Sequence, residues 1–60
     1  MKTKQFCLEA KAKGCYVKRH GSNHDIWYSP ITGKTFAIPR HGSQELAKGL
    51  ERKARETLGL

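Results

Sequence analysis

The spacing of apolar residues changes twice along this chain, and that change restricts the fold more than any other feature of the sequence. Phe6, Cys7, Ala10 and Gly14 follow the i, i+1, i+4, i+8 pattern of one helical face. From Cys15 the period falls to two, and β-branched and aromatic residues appear in three short runs separated by Gly, Ser, Asn and Pro. Beyond Ser43 the longer period returns, with Leu46, Leu50, Ala54 and Leu58 recurring every four residues. A helix at each end with three strands between them is the reading this imposes.

Local signals set the expected boundaries. Thr3 to Lys13 is rich in helix formers, with Thr3 as the cap and Gly14 just past the end. The first strand is expected over Cys15–Arg19, with Cys15, Val17 and Arg19 on one face and Tyr16, Lys18 and His20 on the other. Turn formers at His20-Gly21-Ser22-Asn23 lead into a second strand over His24–Ser29. There His24, Ile26 and Tyr28 share one face and Asp25, Trp27 and Ser29 the other. The turn Pro30-Ile31-Thr32-Gly33 precedes a third strand over Lys34–Pro39, with Phe36 and Ile38 on one side. After the loop Arg40-His41-Gly42-Ser43, Gly49 costs the last helix about 1 kcal/mol against Ala, so the helix begins properly only near Lys48. Both apolar helix faces need the same side of one sheet, which predicts a single two-layer α+β domain over residues 1–60 with an antiparallel meander.

Sixty residues bury only about 60% of their unfolded surface, leaving no room for both a core and a deep pocket, and no cofactor is expected. Crossing a bilayer takes roughly 20 apolar residues in a row, and no such run exists. Met1-Lys2 leads into Thr3, Lys4 and Gln5 with no apolar stretch, so a signal peptide is not expected and the cytosol is the expected location. Cys7 and Cys15 are read as small apolar side chains. A metal set of Cys7, Cys15, His20 and His24 would lack the C-x-x-C pair that zinc sites usually supply, so no metal is expected.

The chain carries 12 Lys and Arg against 5 Asp and Glu, and residues 1 to 20 hold six of these bases against Glu9 alone. Such an excess calls for an anionic partner, most economically nucleic acid, gripped through its phosphates. The plain alternative is a solubilising surface. Tyr16, Trp27 and Tyr28 can stack on unpaired bases, although in so small a core at least one of them packs inside. His20, His24 and His41 lie at strand ends or loops beside Gly, Ser or Arg. Imidazole exchanges a proton near neutrality, and cutting an RNA backbone needs a base for the 2′-hydroxyl, an acid for the 5′-oxygen and cations for the phosphorane charge. Histidine with Lys and Arg supplies all three without a metal ion.

Essentially end to end, from a first helix ending at Gly14 through Lys18-Arg19-His20-Gly21-Ser22-Asn23-His24, the sequence resembles the HicA toxins, small ribonucleases of bacterial toxin-antitoxin pairs. The likeness continues through Ile26-Trp27-Tyr28, Thr32-Gly33, Ile38-Pro39-Arg40-His41, Glu45-Leu46-Ala47-Lys48-Gly49 and the closing Leu58-Gly59-Leu60. The resemblance implies a fold similar to a double-stranded-RNA-binding domain, cleavage of mRNA, arrest of translation and growth, and one catalytic histidine at the start of the second strand. That histidine is His24 here. Gly21 and Ser22 would let the backbone approach phosphate, and Asn23 stands where many family members carry a second histidine. Lys18, Arg19 and Arg40 are expected to clamp phosphates, with His20, Asn23 and His41 as further RNA contacts.

The resemblance also implies a HicB-like antitoxin partner, and the charge of this chain asks that it be acidic where it touches. The complex would reach operator DNA only through the antitoxin. A non-catalytic RNA- or DNA-binding module, with His24 merely touching phosphate, is the competing reading.

Overall fold

The computed structural model of the chain describes residues 1–40 and 42–60. The elements follow in the expected order: α1 (Thr3–Ala12), β1 (Tyr16–His20), β2 (His24–Tyr28), β3 (Thr35–Pro39) and α2 (Lys48–Leu58). The strands form one antiparallel sheet in the order β1-β2-β3. Phe6 and Ala10 of α1, Trp27 and Ile38 of the sheet, and Ala54 and Leu58 of α2 form one core with Cys15 and Leu46. Both helices therefore cover the same face of the sheet, as their apolar stripes require, and the other face is left open.

The start of α1 differs from expectation. Lys2, not Thr3, is the N-cap, and its backbone N–H is satisfied by Gln5 Oε1 at 3.1 Å. Thr3 is already inside the helix and buried, and its hydroxyl donates to the Gln44 carbonyl at 3.1 Å. The reason is tertiary. A bridge between Lys2 and Glu45, with the Thr3 N–H bonded to Gln44 and the Leu46 N–H to Met1, stitches the N-terminus to the segment before α2. Leu46, placed by spacing on the α2 stripe, is buried from that segment, and the helix itself begins at Lys48, as Gly49 predicts.

The helices are joined by Arg55. Its Nε bonds Glu51 Oε2 at 3.0 Å, its Nη2 bonds Glu9 Oε1 of α1 at 3.1 Å, and its guanidinium lies 5.4 Å from the Phe6 ring centroid. The hydrogen bond from Arg55 holds the Glu9 carboxyl below its ordinary pKa. At the C-terminus of α2, Ser29 Oγ donates to the Leu58 carbonyl at 2.6 Å and Thr32 Oγ1 to that of Thr57 at 2.7 Å. Hydroxyls of the β2–β3 turn thus satisfy the carbonyls a helix end leaves free, and Gly59 closes the helix at φ 76°. No helix among the described residues is long and apolar enough to cross a membrane.

Candidate functional site

Cross-strand register decides which side chains meet on which face of the sheet. Trp27 is 3% exposed and pairs with Val17 and Phe36, so these residues mark the helix-covered side. His24, Ile26 and Tyr28 alternate with Trp27 and share the open side with their partners Pro39, Ala37 and Thr35. Of the three candidate stacking residues, Trp27 is structural, while Tyr16 and Tyr28 pair across the open face with centroids 5.4 Å apart.

β1 departs from strict alternation. Val17 opposes Trp27, but the next paired residue is Arg19, opposite Ile26, so the register slips by one at Lys18. A bulge of this kind re-aims the side chains that follow it. Arg19 was expected on the face of Val17; the slip turns it to the open side instead. Lys18 is there as well, with its Nζ 5.7 Å from the Tyr28 centroid. Two consecutive cations, which a regular strand would divide between faces, thereby share one, and Lys18, Arg19, Ile26 and Thr35 line a depression in it.

The same slip sends His20 to the other side, opposite Asp25. His20 Nδ1 lies 2.8 Å from Asp25 Oδ1, and Arg40 Nε donates to that oxygen, also at 2.8 Å. Arg40 Nη2 donates to the Gly21 carbonyl. The hydrogen bond with His20, reinforced by Arg40, holds the Asp25 carboxyl below its ordinary pKa. An ionised Asp25 accepts from Nδ1–H of His20 and leaves Nε2 facing water. Arg40, expected as a phosphate clamp, has Nε and Nη2 engaged within the protein.

His24 heads β2, exposed, opposite Pro39. The hairpin before it is tight: the Gly21 N–H donates to the His24 carbonyl at 2.7 Å. A Cβ at Gly21 would lie 2.8 Å from that carbonyl oxygen, so only glycine permits this approach. Ser22 and Asn23 form the exposed tip. The structure thus gathers His24, Lys18 and Arg19 on the open side and His20, Gly21 and Arg40 around Asp25 on the other. His41 lies outside the described residues. Asp25 escaped the sequence reading, although it is the sole acid between Glu9 and Glu45.

The family model described as the HicA toxin of bacterial toxin-antitoxin systems matches residues 3–60. Among solved structures, the crystal structure of the E. coli HicAB toxin-antitoxin complex contains a similar chain. It is 28% identical, covers 97% of this chain and 96% of its own length, and superposes with a TM-score of 0.82. No curated protein matches.

Proposed function

Because the chain belongs to the HicA toxin family, we propose that it is the toxin of a toxin-antitoxin pair and acts as a ribonuclease that cuts mRNA at His24. The observation that carries this reading is the shared face. An exposed imidazole at the head of β2 lies on the same side of the sheet as Lys18 and Arg19, the bulge in β1 having added Arg19 to the face that Lys18 occupies.

The chemistry follows from that arrangement. Single-stranded RNA carries its own nucleophile, the 2′-hydroxyl, so the protein has to bring a proton acceptor or donor and cations to the phosphate. His24 is the group that takes or gives the proton. Lys18 and Arg19 clamp phosphates along the strand and hold it on the face that carries His24. His20, its Nδ1 held by Asp25, lies on the other side of the sheet, so water is the complementary proton carrier on the open face, and Arg40 braces the Asp25 carboxylate and the Gly21 carbonyl at the hairpin. Histidine chemistry of this kind needs no metal ion. With so open a surface, phosphate contacts grip without reading sequence, and broad specificity follows.

A toxin of this charge is neutralised most simply by a HicB-like antitoxin that is acidic at the contact and covers His24. The relative that shares this fold is described as part of a HicAB complex. Complementary charge would also steer the encounter and make it fast. Growth arrest follows from mRNA loss when the antitoxin is depleted.

Labelled mRNA incubated with the purified protein in EDTA tests the reading. Fragments from the wild type and none from His24→Ala are expected. A mobility shift without fragments from the wild type would favour the non-catalytic binding module instead.

A further inference from the structure

The open face of the sheet holds more than the proposed catalysis requires. Tyr16 is 52% exposed, unusual for an aromatic residue in a chain with so few apolar side chains to spare for its core. It leans on Tyr28 at an interplanar angle of 52°, and Lys18 Nζ sits over the Tyr28 ring. Arg19, Ile26 and Thr35 complete the surface beside them. Neither helix covers it, and packing explains neither the exposure of Tyr16 nor the bulge that adds Arg19 to the face where Lys18 sits over Tyr28.

Charge and aromatic character together select an occupant. Among the described residues, no strand residue on this side is acidic, because the sheet's one acid, Asp25, lies on the helix side with His20 and Arg40. A cationic surface interleaved with exposed aromatic rings is what an unpaired nucleic acid strand uses, stacking its bases on the rings and setting its phosphates on the cations. A double helix has its bases stacked on one another and offers the rings nothing. The face also runs without interruption from the tyrosines to His24, a span of four residues along β2, or about 13 Å at the strand rise.

We infer that the open face is a binding platform for single-stranded RNA, in which Tyr16 stacks on a base and Lys18 and Arg19 hold the neighbouring phosphates. The inference rests on the ribonuclease reading only in placing the cut bond at His24; binding to the platform does not depend on catalysis. The stacked base lies some distance from the bond at His24, so it aligns the strand and does not react. Every base has a π-face, so the platform tolerates sequence while excluding duplex.

The test measures binding of the full chain to a fluorescent single-stranded oligoribonucleotide whose 2′-positions are methylated, so that no nucleophile is present and nothing is cut. Tyr16→Ala is expected to weaken binding roughly 5- to 150-fold, the range for loss of one stacked base. Tyr16→Trp, which restores a ring, is expected to bind close to wild type, and circular dichroism of both variants should match it. The same oligonucleotide annealed to its complement should bind more weakly and with no dependence on Tyr16. Wild-type affinity in a folded Tyr16→Ala protein, or an equal loss for duplex, would overturn the platform. So would a Tyr16→Ala defect confined to binding the antitoxin. Cleavage of unmodified RNA is scored separately: wild type that binds the methylated strand through Tyr16 yet cuts nothing refutes the ribonuclease reading and leaves the platform standing.

Discussion

Replacing Asp25 by asparagine keeps the size of the side chain and removes the charge on which His20 and Arg40 converge. Both partners reach Oδ1 at 2.8 Å, and the Asp25 side chain is 20% exposed, so the contacts are neither fully screened nor dry. Exposed ion pairs contribute about 0.2–1 kcal/mol each and hydrogen bonds to sheltered charges about 1.5–3, which places the loss of these two partly sheltered contacts near 1–2 kcal/mol. At roughly 4–8 °C per kcal/mol for a domain of this size, Tm should fall by about 4–16 °C at pH 7. The pH dependence is the sharper signature. His20, with Arg40, holds the Asp25 carboxyl below its ordinary pKa in the folded protein. The unfolded chain therefore takes up the proton first on acidification. The stabilisation is complete above the unfolded value of about 3.9 and is lost as pH falls through the lower folded value. Asparagine has no such proton, so the Tm difference between the two proteins should be largest near neutrality and close below about pH 4. Glu9 and Glu45, whose pKa values are also lowered, titrate in both proteins and leave the difference unaffected. Thermal melts followed by far-ultraviolet circular dichroism from pH 2 to 8 measure it. No difference at pH 7, or one that stays constant through the acid range, would refute the role assigned to this carboxylate.

Other consequences are equally direct. His24→Ala should lower RNA cleavage by about 10²- to 10⁴-fold in a gel-based assay, with an unchanged melt because the side chain is exposed. Gly21→Ala forces a methyl group against the His24 carbonyl, and overpacking of this kind costs about 1–3 kcal/mol, to be read as a lower urea midpoint together with reduced cleavage. Leu58→Ala empties a fully buried position at a cost of about 2–5 kcal/mol, against a total stability of roughly 3–9 kcal/mol for 60 residues, so a large unfolded fraction at 37 °C is expected by circular dichroism.

Much of the architecture was legible because it depends on local rules. Apolar spacing located Phe6, Ala10, Ala54 and Leu58 in the core, Gly49 delayed α2 to Lys48, and Gly21 marked the tight hairpin before His24. Thr3 was misread because a helix cap is chosen by what else can satisfy the first N–H groups, and here a distant segment does so. Asp25 was missed for a related reason. As a single acid in a strand it carries no local signal, and its importance comes from Arg40, fifteen residues away, and His20 across the hairpin.

Residue order alone was enough to specify two helices against one face of a three-stranded meander, a basic surface and a histidine at the head of the second strand, because periodicity, turn chemistry and charge act over a few residues. The distribution of the site between the two faces was decided only by strand pairing. Alternation assigned Arg19 to the side of Val17, and a one-residue slip at Lys18 reversed it. A bulge is a property of two strands in register: it moves a side chain from one face to the other without any change in composition, and it brought Arg19 to the face of Lys18, Tyr28 and His24 while delivering His20 to Asp25.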